Sequence, residues 1–159
     1  MLHAPAGSAR DRVADYFGNR GIAVERLSFV GKMPFAEYLK QYNQIDIALD
    51  PFPYTGGTTT CDALWMGVPV VTLAGNSAVA RGGVSILNNV GHRELIAEST
   101  SQYVQIAMAL AADPGRLAEL RRMLRGQMES SPLMDAPRFA RDVESAYCDM
   151  WRNWCMAQR

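Results

Sequence analysis

An α/β fold of the Rossmann-like kind, a parallel sheet flanked by helices with a helical C-terminus, is the class that this sequence predicts. Three observations predict it. Short β-prone runs alternate with helically spaced apolar residues up to about residue 99. The run Val68-Pro69-Val70-Val71-Thr72-Leu73 is apolar without alternation, as suits a parallel strand covered on both faces. After residue 99 the strand-like runs stop and only helical patterns continue. Strands separated by helices at this interval make βαβ units.

The elements follow in order. Met1 to Gly7 reads as the end of a buried strand running into a loop. The apolar stretch that should precede it is missing, so the chain is expected to be a fragment without the first strand of its sheet. Arg10 to Arg20 carries Val13, Ala14 and Phe17 at helical spacing, with Gly21 where a C′ glycine belongs. Leu27 to Val30 is a short strand. Pro34 sits at the expected first position of a helix bearing Phe35, Leu39 and Tyr42. Ile45 to Leu49 is the next strand, and Asp50 to Gly57 is a loop on its turn residues. Thr58 to Met66 is predicted helical, with Gly67 stopping it before the strand 68–73. A helix over 79–89 and a short strand at Leu95-Ile96-Ala97 complete the alternation.

Beyond it, Tyr103, Ile106, Ala107 and Leu110 mark one helix, and Asp113-Pro114 open a second carrying Leu117, Leu120 and Leu124. Asp135 and Pro137 open a third, with Phe139, Val143, Tyr147, Met150 and Trp154 three or four apart. Trp151 and Trp154 imply that this last helix packs on something broad. Residues 1–99 are thus expected to be the sheet-bearing core, and 100–159 a helical extension packing on the same lobe.

Composition narrows the function. The 159 residues include 16 Lys+Arg and 16 Asp+Glu, a formal charge of zero that argues against a nucleic-acid partner held by bulk electrostatics. Apolar residues at 48% and charged residues at 20% are a globular mix rather than a disordered one. No apolar run approaches the roughly 18 residues of a membrane helix, and Met1 to Arg10 has no signal-peptide core. Cys61, Cys148 and Cys155 are odd in number and lack metal-ligand spacing, and His3 and His92 lie far apart. The expectation is a cytoplasmic chain with no metal, no cofactor, no membrane and no nucleic-acid partner.

The informative stretch is Asp50-Pro51-Phe52-Pro53-Tyr54-Thr55-Gly56-Gly57-Thr58-Thr59-Thr60-Cys61-Asp62. It leaves the carboxyl end of a strand and enters a helix, where open α/β sheets bind ligands. Two glycines let a ligand approach the backbone, the amides that follow lie at a helix N-terminus with its partial positive charge, and three threonine hydroxyls add donors. Together they describe an anion cradle without a lysine, suited to a diphosphate. Taken alone, the stretch is more commonly an ordinary turn and cap, and it matches neither the P-loop nor the dinucleotide glycine pattern. Asp62 either complements the helix dipole or accepts hydrogen bonds from ribose hydroxyls. Asp46 and Asp50 are four apart and flank a strand, so no Asp-x-Asp metal motif is present.

Two long ordered segments, 45–54 and 57–73, closely resemble the C-terminal catalytic half of O-GlcNAc transferases and their bacterial SPINDLY-like relatives. Ala80-Arg81, Glu94 to Ala97, Ser130 to Leu133 and Tyr147 to Trp151 extend the resemblance over almost the whole chain. It implies the C-terminal lobe of a GT-B glycosyltransferase, with 1–99 a partial UDP-sugar-binding core. The implied reaction is metal-independent, inverting transfer from UDP-GlcNAc to a protein Ser or Thr hydroxyl. Position by position, Thr58 and Thr59 would contact the diphosphate, Asp62 the ribose, Tyr38 and Lys32 the uracil region, and Arg81 the phosphate charge. Gly57 stands where animal members carry a histidine, and Tyr54 where they carry a cysteine near the sugar. Both departures put a strict UDP-GlcNAc preference in question. A lobe strand with a diphosphate-binding lysine, the N-terminal lobe with the proposed base, and any tetratricopeptide array would lie outside this chain, which alone is expected to be inactive. The competing reading is a non-catalytic nucleotide-binding or protein-interaction module.

Overall fold

A computed structural model of the chain describes residues 1–4 and 6–157. It divides into two compact units, Met1–Ile45 and Asp46–Arg159.

The first unit contains β1 (Leu2–His3), α1 (Ser8–Gly18), β2 (Phe29–Val30) and α2 (Phe35–Gln41). The two strands pair in parallel, Leu2 opposite Phe29. Arg10 ties α1 to the end of β1: its Nε and Nη2 donate to the Ala4 carbonyl at 3.0 and 2.9 Å, and its guanidinium lies 5.6 Å from the centre of the Phe29 ring. Gly21 has φ +77, as a residue reversing the chain after a helix requires. Pro34 is the N-cap of α2 rather than its first helical residue, because its ψ of 147° is still extended. Tyr42, expected on the same helix, lies in the 3-10 turn that follows.

The second unit holds β3 (Ala48–Leu49), α3 (Thr58–Trp65), β4 (Val70–Leu73), α4 (Gly82–Val90), β5 (Ile96–Ala97), α5 (Thr100–Ala111), α6 (Pro114–Glu129) and α7 (Ala136–Ala157). Its sheet is parallel in the order β3-β4-β5, with Ala48 opposite Val70 and Thr72 opposite Ile96. The predicted class is therefore realised: each crossover between neighbouring parallel strands carries a helix. Central β4 has Val70, Val71 and Thr72 buried, which is why its sequence shows no polar alternation. Leu64 of α3, Leu87 of α4, Leu95, and Leu120 and Leu124 of α6 are fully buried against this layer.

The strands are shorter than their apolar runs. Isoleucines 45 and 47 precede the ladder, and Val68-Pro69 forms the approach to β4. Helix α4 begins at Gly82 instead of near residue 79, after a 3-10 turn at Ala78–Ala80, and the cause is a contact from a distant part of the chain. Thr55 directs both its N–H (3.2 Å) and its hydroxyl (2.9 Å) to the Val79 carbonyl, the acceptor that a helix started at Val79 would need.

Helix α6 closes the far end of α3. Arg125 Nε donates to the Trp65 carbonyl at 2.8 Å, and its guanidinium lies 5.0 Å from the Trp65 ring centre. Gly67 has φ +79, and a Cβ there would come within 2.6 Å of the Arg121 carbonyl. Only glycine allows that approach. Asp113 caps α6 as expected, accepting from the Arg116 amide at 2.9 Å. In α7, by contrast, Phe139, Tyr147, Met150, Trp151 and Trp154 are all more than half exposed. The two indoles stack on one another with centroids 5.2 Å apart.

A polar bridge ties the end of α4 to α6. Buried His92 lies 2.9 Å by Nδ1 from Glu94 Oε1 and 2.7 Å by Nε2 from Gln127 Oε1. Arg116 reaches Glu94 at 3.2 Å and Glu119 at 2.7 Å. Burial pushes the Glu94 carboxyl up, but the hydrogen bonds from His92 and the backbone and the charges of His92 and Arg116 outweigh it and hold the carboxyl below its ordinary value.

Two outcomes are expected. Leu124→Ala, which empties a fully buried site, should lower unfolding free energy by about 2–5 kcal/mol in urea titrations. A carboxylate with a depressed folded pKa stabilises the fold above its unfolded pKa, and that contribution is lost as pH falls through the folded value. Glu94→Gln should therefore show a smaller loss of melting temperature than the unmodified chain between neutral pH and the acid side of the carboxylate range.

Candidate functional site

The loop and helix start at which the cradle is expected lie in the second unit, around the carboxyl ends of β3 and β4. Strand β3 ends at Leu49, and Asp50 turns inward to become 3% exposed. Its Oδ1 accepts the Gly56 N–H at 2.6 Å and its Oδ2 accepts the Thr72 hydroxyl at 2.7 Å. One side chain thus pins the far end of the 50–57 loop to central strand β4. From α5, the Tyr103 hydroxyl donates to the Asp50 carbonyl at 2.9 Å, and its ring meets Phe52 edge-on at 5.6 Å. Burial together with the Asp50 charge pushes the Tyr103 hydroxyl up to about 12, so it stays protonated as a donor. The Asp50 carboxyl is itself raised, by burial, with the bonds from Gly56 and Thr72 opposing.

Close approach explains the glycines. A Cβ on Gly56 would stand 2.6 Å from Thr60 Oγ1, 2.8 Å from Thr59 Oγ1 and 3.1 Å from Asp50 Oδ1. A Cβ on Gly83, in the first turn of α4, would collide with Asp50 Oδ2 and the Thr72 hydroxyl. The amino ends of α3 and α4 therefore both converge on the loop that Asp50 holds.

Helix α3 begins at Thr58 with Gly57 as its N-cap, a residue with no side chain to cap it. Its ladder starts with the Cys61 N–H on the Gly57 carbonyl at 3.1 Å, so the amides of residues 58–60 lie ahead of the first turn. Thr58 and Thr59 are exposed at this end, Thr60 is buried beneath them and Asp62 is half-buried one turn on. Gly57, Thr58, Thr59 and Asp62 thus share one helix mouth. Tyr54 stands on the approach to it, 72% exposed. Arg81 is the residue preceding α4, and its Nη1 donates to the Gly75 carbonyl at 3.1 Å. The bonds from Thr55 to Val79 bring that connection alongside the loop. A cleft of about 320 Å³ lies beside it, lined by Phe52, Pro53, Leu73, Gly75 and Ala80 among others.

Lys32 and Tyr38 belong to the first unit. They line a hollow of about 200 Å³ with Gly31, Met33 and Phe35, and the Tyr38 and Tyr42 hydroxyls are hydrogen-bonded to each other. Among the described residues, no group of His, Cys, Asp and Glu is placed to hold a metal ion, and no helix is long and apolar enough to cross a membrane.

Sequence reasoning missed Asp50, Thr55, Thr72, Gly83 and Tyr103 as builders of this site. Asp50 reads as a strand flank next to a proline. The available signal was an acid at the carboxyl end of an apolar strand, six residues before a glycine pair.

Comparison with known proteins bears on the family and the fold. Residues 1–143 match glycosyl transferase family 41. The probable UDP-N-acetylglucosamine--peptide N-acetylglucosaminyltransferase SPINDLY of Oryza sativa subsp. japonica is 50% identical over 119 residues, 75% of this chain and 13% of its own length. Its counterpart in Arabidopsis thaliana is 40% identical over 152 residues, 95% of this chain and 17% of its own length. A solved O-GlcNAc transferase mutant of Thermobaculum terrenum superposes with a TM-score of 0.89 at 40% identity, covering 97% of this chain and 30% of that one. The chain accordingly spans less than a fifth of these curated relatives and under a third of the solved one, and its fold is that of the C-terminal GT-B lobe. On a match that runs through nine-tenths of its length and includes the whole α3 mouth, the chain belongs to glycosyl transferase family 41.

Proposed function

We propose that this chain is the donor-binding lobe of a glycosyltransferase that takes a UDP-sugar, UDP-GlcNAc by the names of its relatives, and transfers the sugar to a protein Ser or Thr hydroxyl. The observation that carries this reading is the mouth of α3. There, exposed Thr58 and Thr59 stand beside amides ahead of the helix ladder, on a loop anchored by a buried carboxylate at the carboxyl end of a parallel strand. Ligands of open α/β sheets bind at that edge, and a helix N-terminus favours an anion.

In the proposed reaction the sugar C1–O bond to the β-phosphate breaks while a bond from the acceptor oxygen to C1 forms on the opposite face. The acceptor proton passes to a base outside this chain, and UDP departs with the electron pair of the broken bond. Charge grows on the β-phosphate, so donors aimed there bind it more tightly in the transition state than in the ground state. Thr58, Thr59 and the first-turn amides supply those donors, and the proposed transfer needs no metal for this step. Asp62 is assigned to the ribose, since a carboxylate accepts from hydroxyls and repels phosphate. Arg81 is assigned to the outer edge of the diphosphate, Tyr54 to the sugar side and Gly57 to close backbone approach.

A partner-binding module is the second reading, and the exposed aromatic face of α7 is what favours it. Calorimetry with UDP, ADP and CDP separates the two. The transferase reading requires UDP to bind most tightly, whereas absence of binding by all three leaves the partner module. Thr58→Ala combined with Thr59→Ala should weaken UDP binding by at least ~1 kcal/mol, the scale of one or two charge-assisted hydrogen bonds. Unchanged affinity in the double variant would refute the cradle.

A further inference from the structure

The Asp50 carboxylate lies where two helix amino ends meet. Its Oδ1 is bonded to the Gly56 amide, next to the Thr59 and Thr60 hydroxyls of α3, and its Oδ2 is bonded to Thr72 and packed on Gly83 of α4. Thr72 comes from β4, Gly83 from α4, Thr59 and Thr60 from α3 by way of Gly56, and Tyr103 from α5 on its main chain. Tyr103 is the titratable one among these described contacts, and it is a neutral donor. Among the described residues no salt bridge reaches the carboxylate, and hydrogen bonds from Gly56 and Thr72 support its charge.

A diphosphate held by Thr58 and Thr59 brings a second and larger negative charge to the same helix end. Thr59 Oγ1 and Asp50 Oδ1 both lie within 3.1 Å of one point, the Cβ position of Gly56, so an anion bonded to Thr59 is within roughly a Debye length of Asp50. Asp50 is buried and Gly56 half-buried on that line, and like charges repel more strongly there than across bulk water. Protonation relieves that repulsion without loosening the loop. A neutral carboxyl keeps one oxygen as acceptor for the Gly56 N–H, and its O–H can donate to the Thr72 hydroxyl.

We propose that Asp50 is a positioning residue that takes up a proton when a diphosphate occupies the mouth of α3, so that donor binding and Asp50 protonation are linked. This inference rests on the donor-binding reading above. The raised Asp50 carboxyl is in line with it.

UDP-GlcNAc is the suitable probe, because its diphosphate diester has no proton to exchange between pH 5 and 8. Calorimetry on the unmodified chain, in two buffers of different ionisation enthalpy, should show net proton uptake that grows as pH falls from 8 to 5, and affinity rising about 5-fold or more over the same range. Asp50→Asn, which keeps the acceptor oxygen and removes the charge, should bind at least as tightly as the unmodified chain at pH 8 and vary less than about 2-fold with pH. Thr72→Val, which removes the hydroxyl that supports the carboxylate, should move the uptake to higher pH and serves as the independent check if Asp50→Asn does not fold. Binding without proton uptake, or an Asp50→Asn chain that binds more weakly at every pH, overturns the linkage while leaving the donor site intact. No binding by the unmodified chain at any pH overturns both this inference and the proposed function.

Discussion

The site depends on a carboxylate withdrawn from water at the end of a strand. Asp50 accepts one hydrogen bond from the loop and one from the neighbouring strand, and those two bonds bring residue 56 back over the edge of the sheet. A buried acid without such partners would cost several kcal/mol, so the loop and the charge stabilise each other. The Tyr103 hydroxyl on the Asp50 carbonyl extends the same arrangement to α5. The helix mouth downstream then opens in a defined direction, because the residue before it, Gly57, is reached along a fixed path.

The opposite end of α3 is held just as firmly. Arg125 satisfies a terminal carbonyl and covers the Trp65 ring, and the Arg121 backbone fills the space that a side chain at Gly67 would take. A short helix of eight residues is marginal by itself. Here Ala63 and Leu64 are buried and both ends are tied to other elements, so the helix can present polar groups at its amino end without a side-chain cap of its own. That division of labour, apolar burial for the body and tertiary anchors for the termini, lets a binding surface remain polar and open.

Much of this was legible from the chain alone. The apolar run at 68–73 identified a doubly covered central strand, and the turn and threonine residues at 50–60 identified where chemistry would sit. The helix starts at Thr58 and Pro114 were legible from local chemistry, since capping and the proline ring act within one turn. Strand ends were less legible, because apolarity continues through approach residues such as Val68 and Pro69, of which Pro69 only lends its carbonyl to the Ala48 N–H and has no N–H of its own to give. The start of α4 was not legible at all, for it is set by Thr55, 24 residues earlier in the chain, taking the Val79 carbonyl. Trp151 and Trp154 illustrate the converse: their spacing signals an apolar helix face, yet the spacing does not say that the rings would stack on each other and stay exposed.

The sequence by itself determined the parallel α/β class, the order of elements and the polar loop at a strand's carboxyl end. These follow from periodicity and turn chemistry, which act between residues close along the chain. The tertiary structure alone decided what that loop rests on. Asp50, Thr72, Gly83 and Tyr103 are scattered over more than fifty positions, and no local pattern relates them. They meet because parallel pairing brings the ends of β3 and β4 side by side and burial of Val71, Leu87 and their neighbours presses α4 and α5 over that edge. Where the chain leaves a buried charge, only the packed fold can say which distant groups answer it.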